Sequence, residues 1–114
     1  MGGILGFLRS FLHRRRLSKQ ARRALHSLFH RPDLGQVSSL RRDHLGRAVL
    51  LGWEERDGVL KAVRFGIVRH PKPLPLPHVY NEVIEVYRYE LETGELRIIA
   101  SRNVTRRGPP PSVP

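Results

Sequence analysis

His26 and His30 stand four residues apart with Asp33 three further on, a spacing that offers two imidazoles and a carboxylate to one metal ion. The surroundings speak against that use. Arg22, Arg23 and Arg31 repel a dication, and Pro32 ends any helix that would hold the spacing, so neither a metal nor another cofactor is expected. Catalytic groups are equally scarce. Zero cysteines remove thiol nucleophiles, iron–sulfur ligation, Cys-bound zinc and disulfides together. No serine sits in a Gly-x-Ser-x-Gly turn, no glycine-rich phosphate loop follows a strand-like run, and Asp43 beside His44 is an isolated pair. The residues predict a binding protein, not an enzyme.

The chemistry that is abundant is cationic. The 114 residues carry 21 Lys and Arg against 10 Asp and Glu, a formal charge of +11. Residues 1–42 hold ten of the cations and a single acid, Asp33, whereas residues 43–100 are near neutral. A basic arm on a neutral module has polyanions as natural partners: nucleic acid, an anionic membrane surface or an acidic protein face. The candidate anion-binding residues are Arg14, Arg15, Arg16, Arg22, Arg23, Arg41 and Arg42. Arginine, which outnumbers lysine 18 to 3, suits bidentate phosphate contacts, although a compositional bias of the coding frame gives the same ratio.

Two apolar stripes lie in the arm, residues 1–42. Ile4, Leu5, Phe7, Leu8, Phe11 and Leu12 recur at helical spacing and form a candidate membrane-binding set. Leu17, Ala21, Ala24, Leu25 and Leu28 form a second stripe, about 180° out of phase with the first at ~100° per residue. The phase mismatch predicts one or two basic amphipathic helices, the preferred reading being a break near Arg14–Arg16 and a restart with Ser18 as N-cap. Arg15-Arg16-Leu17-Ser18 also resembles the sites of basophilic protein kinases, which makes Ser18 a candidate for modification. Gly2 invites an N-terminal lipidation reading, but Gly6 stands where that pattern asks for Ser or Thr. No run approaches the ~20 apolar residues that span a bilayer.

Residues 43–105 change to a period of two. Arg47–Glu54 and Val59–Val68 flank Asp57-Gly58, a strong hairpin signal, and a second pair of strands surrounds Glu92-Thr93-Gly94. Ile84 and Val86 occupy one parity and Val83, Tyr87, Tyr89 and Leu91 the other, which predicts a bulge or an exposed tyrosine row. Between the pairs, proline at every second position from Pro71 to Pro77 predicts an extended polyproline crossover. The fold class is therefore α+β: a helical arm, then a small antiparallel sheet of two hairpins joined by a Pro-rich crossover. With both sheet faces partly apolar, a homo-oligomer is expected.

Residues 106–114 read as a disordered Pro-rich tail. Its last four residues, Pro111, Ser112, Val113 and Pro114, resemble the Pro-Thr/Ser-Ala-Pro budding motif that enveloped-virus matrix proteins present to host sorting machinery, with Val113 in place of alanine. The resemblance implies a Pro-motif-binding partner. Together these features predict a non-enzymatic, viral matrix-like or accessory binding protein, cytoplasmic and peripheral to a membrane. One alternative is a nucleic-acid-binding protein, in the nucleus or elsewhere, using the arginines on phosphates with Trp53, Tyr87 and Tyr89 for stacking. A third is an imported organellar subunit whose first thirty or so residues are a targeting segment.

Overall fold

The computed structural model describes residues 3–69, 72–73 and 78–108, and of residues 3–5 and 72–73 the backbone alone. The architecture is α+β, one long helix laid across one face of an antiparallel sheet. Helix α1 (Gly3–Phe29) is followed by a single turn, α2 (Leu34–Val37), and a 3-10 segment (Arg42–Arg47). Strands β1 (Ala48–Arg56), β2 (Val59–Val68), the two-residue β3 (Lys72–Pro73), β4 (Val79–Glu90) and β5 (Leu96–Arg107) complete the chain.

Helix α1 runs through the arginine triplet without interruption, which corrects the expected break. Ser18 is not an N-cap: it lies mid-helix with a half-buried side chain. The physical reason is that nothing between Phe7 and Phe29 opposes a helix. The stretch contains no Gly, Pro or β-branched residue and is rich in Leu, Ala and Arg, which favour helix. Three consecutive arginines fan out over about 200° of the helix surface, so their mutual repulsion is relieved without bending the backbone. The helix finishes at Phe29 with 3-10 bonds, His30 N–H to Ser27 O and Arg31 N–H to Leu28 O, ahead of Pro32.

Strands β1 and β2 pair antiparallel around Asp57 and Gly58, both at positive φ (54° and 77°), the conformation that matches the right-handed twist of a two-residue hairpin. Two register shifts set which residues face the helix. Leu51 is the extra residue on β1 and Lys61 on β2; beyond Lys61 the parity inverts, so Leu60 joins Val63, Phe65 and Ile67 on the helix side. Strand β2 also pairs antiparallel with β4, so the stretch 69–78 connects two neighbouring strands. Lys72–Pro73 continues along the same edge of β4, and the polyproline conformation expected of the remaining prolines lies outside the described residues. In β4 no slip occurs: the two parities are two faces, with Tyr87 and Tyr89 toward the helix and Ile84 and Val86 away from it. The bulge sits opposite, on β5, where Ile99 is extra.

The core crosses the boundary at residue 42 that marks the change in charge. Leu17, Ala21, Leu25, Leu28 and Phe29 are all buried against Leu60, Val63, Phe65, Ile67 and Tyr87. Phe65 stacks on Tyr87 at 5.3 Å between ring centres and meets Phe29 edge-on at 5.7 Å. Polar ties lock the layers. Arg31 grips Asp33 through two bonds of 2.9 and 2.7 Å and donates to the Gly94 carbonyl at 2.8 Å, joining the end of α1 to the β4–β5 turn. Arg69 bonds Glu85, Ser39 and Tyr87, whose hydroxyl donates to Glu85 at 2.9 Å.

His44, buried in the 3-10 segment, accepts the Arg41 N–H on Nδ1 at 3.0 Å, which puts its proton on Nε2. Burial first, then the nearby Arg69 guanidinium, holds its pKa below that of free histidine. The unfolded chain therefore takes up a proton that the native one refuses. The stability this contributes is complete above about pH 6.5 and is lost as pH falls through the depressed native pKa. Melting curves between about pH 7.5 and 5 should show a steeper loss for the natural chain than for His44→Gln; parallel losses would contradict this.

Candidate functional site

The continuity of α1 places two chemically different surfaces on one side of the molecule. At 3.6 residues per turn, Leu17, Ala21 and Leu28 point toward the sheet, while Arg15, Lys19 and Arg22 point about 150° away from them. Leu8, Phe11 and Leu12 fall within about 55° of that same outward direction. Phe7, Phe11 and Leu12 are 69%, 52% and 59% exposed, whereas Leu17 and Leu28 are 1% and 0%. The outer side of α1 is thus apolar over its first turns and cationic over its middle ones, the two halves following one another along a single line. From Leu8 to Arg22 this line is about 21 Å long.

His13 marks where the helix leaves the sheet. Its Nε2 lies 2.9 Å from Glu55 Oε1 on β1, and Arg16 donates to its Nδ1 at 3.2 Å. On the N-terminal side of this anchor, residues 7–12 are all exposed. Phe7 and Phe11 stack on each other at 6.5 Å, which keeps the apolar tip ordered as one surface. Leu12 is the junction: the grooves beside it are lined by Arg9, His13 and Arg16 on one flank and by Arg15, Arg16 and Lys19 on the other.

The charge of this surface is uncompensated. No acid precedes Asp33 in the sequence, and among the described residues no carboxylate pairs with Arg9, Arg14, Arg15, Lys19, Arg22 or Arg23. All six are exposed, free to meet phosphate oxygens, with the apolar tip immediately beyond them.

The remaining candidates divide. Arg14, Arg15, Arg16, Arg22 and Arg23 share the helix, but Arg41 and Arg42 do not join them. These two are exposed beside the far end of α1, lining a shallow cleft with Phe29, His30, Arg31 and Leu34, and Arg41 pairs with Asp43 at 3.2 Å. The backbone of Ile4 and Leu5 continues α1, and their side chains lie outside the described residues, as do Gly2 and the motif Pro111, Ser112, Val113, Pro114. Of the three aromatics expected to stack on bases, Tyr87 is buried, which corrects the expectation for that residue; Trp53 and Tyr89 are half-buried, Trp53 packing on the Leu17–Val63 cluster and Tyr89 on both core clusters under Arg31. His26 and His30 stack on each other at 4.2 Å, and Asp33 is taken by Arg31. Among the described residues no three His, Cys, Asp or Glu are grouped for a metal.

The shared outward direction of Leu8, Phe11, Leu12, Arg15, Lys19 and Arg22 was hidden in the sequence only by the assumed break; one helical wheel drawn through the triplet displays it. Comparison of the chain with known protein families, with characterised proteins and with solved structures gives no match. No helix among the described residues is long and apolar enough to cross a membrane.

Proposed function

We propose that this chain is a non-enzymatic peripheral protein that docks on anionic membrane surfaces through the outer side of α1. The observation that carries the reading is the single line of exposed apolar tip and unpaired cations on one continuous helix. A bilayer interface presents the matching order, acyl chains beneath phosphates, so a helix entering at a shallow angle immerses Leu8, Phe11 and Leu12 and leaves Arg15, Lys19, Arg22 and Arg23 among headgroups. Four such cations contribute about 1 kcal/mol each on an anionic leaflet, and this part is sensitive to salt. Nucleic acid would use the cations but gives the apolar tip no partner, and Tyr87, one of the aromatic side chains it would stack upon, is buried in the core.

Co-sedimentation with phosphatidylserine-containing vesicles tests the proposal. Binding should be strong at low salt, weaken markedly at high salt without disappearing, and be much poorer on pure phosphatidylcholine. Equal binding to both vesicles, no binding to either, or tighter binding to single-stranded DNA that competes with vesicles at every salt concentration would overturn it.

A further inference from the structure

The outer edge of β5 is the second exposed feature that carries a function. Among the described residues β5 pairs only with β4, leaving twelve residues, Leu96–Arg107, with one side of the backbone open. Such an edge offers a row of amide and carbonyl groups to any extended chain. Its side chains say which chain. The strand carries Arg97, Arg102, Arg106 and Arg107 and no acid. Arg97 pairs with Glu95 and Arg106 with Glu82, while Arg102 and Arg107 have no carboxylate among the described residues. Cross-strand registers put Arg97 beside Arg88, itself beside Arg64, but Glu54 and Glu90 pair with Arg88, so the uncompensated charge of this edge lies at Arg102 and Arg107. Ile98 and Ile99, half exposed, add apolar contact near the start of the strand.

We infer that β5 accepts an acidic, extended peptide segment of a partner protein as an added strand. A second copy of this chain is the poorer occupant, because antiparallel pairing of two β5 strands would bring the unpaired Arg102 and Arg107 of both copies together with no acid on either strand to meet them. The same charges that bar self-pairing select a strand with acids at alternate positions. The edge lies apart from the outer side of α1, so the inference stands independently of membrane docking.

The test uses the full chain and a fluorescein-labelled twelve-residue peptide in which Glu alternates with Val and Thr. Saturable binding at physiological salt is expected, with slowed hydrogen exchange at alternate amides of residues 96–107. Arg102→Glu with Arg107→Glu should weaken binding about tenfold, since opposed charges become like charges across the strand. Arg15→Glu with Arg22→Glu should leave it unchanged. A peptide of equal charge interrupted by two prolines should bind at least about tenfold more weakly, because it cannot form the ladder. No binding, equal binding of the proline peptide, unaltered exchange in β5, or self-association through β5 that excludes the peptide would overturn the inference.

Discussion

Replacing Leu8, Phe11 and Leu12 together by serine is expected to lower partition onto phosphatidylserine-containing vesicles several hundredfold. Fully burying one such side chain contributes about 1.5–3 kcal/mol, and the interface takes up only part of each, so three together account for roughly 3–4 kcal/mol. These residues lie beyond the His13–Glu55 anchor and contact no core cluster, so the variant should melt within about 0.5 kcal/mol of the natural chain. Flotation assays with parallel melting curves measure both. Unchanged binding would mean that the apolar tip is not in the bilayer and that charge alone holds the protein there.

Removing residues 1–31 should leave no cooperative melt, whereas removing residues 1–12 should leave the fold intact and abolish membrane insertion. The difference lies in where side chains go. Leu17, Leu25, Leu28 and Phe29 are each buried to 6% exposure or less, and losing four such groups withdraws about 6–12 kcal/mol of apolar burial. That compares with a total stability of about 5–15 kcal/mol for a domain of ordinary size. Deletion also strips Arg31 from Asp33 and from the β4–β5 turn. Far-ultraviolet circular dichroism with thermal denaturation distinguishes the two truncations. A cooperative melt for the chain lacking 1–31 would show that the sheet holds its own core.

Alternation of apolar residues around Asp57-Gly58 identified the β1–β2 pair, and helical spacing identified the arm, because both signals are local and repeat along the chain. The bulges at Leu51, Lys61 and Ile99 were less legible, since an extra residue is defined only by its partner strand. Lys61 shows the cost: by simple alternation it would share a face with Val59, Val63, Phe65 and Ile67, whereas the register makes it the extra residue that turns Leu60 inward. The phase mismatch in α1 was read correctly and interpreted too locally. A helix keeps its axis when only one half of it has a packing partner, so a change of apolar direction at Leu12–Leu17 marks the end of the sheet's reach, not the end of the helix. The charge count located the cationic surface but carried no information on packing, which is why Leu17–Phe29, basic in composition, turn out to line the core. Tyr87 gave no sign of its burial, because aromatics in strands serve cores and surfaces alike.

The most direct test of the membrane assignment is the immersion depth of spin labels along α1. Because the chain has no cysteine, a single one can be placed at will, at Leu8, Phe11, Lys19, Arg22 and, as a reference on the sheet, Ile98. On vesicles containing phosphatidylserine, labels at Leu8 and Phe11 should be accessible to oxygen and shielded from a polar nickel reagent. Labels at Lys19 and Arg22 should report the headgroup layer, and the label at Ile98 bulk water. Labels at Leu8 and Phe11 that remain as accessible to the nickel reagent as Ile98, on protein fully bound to vesicles, would contradict the account.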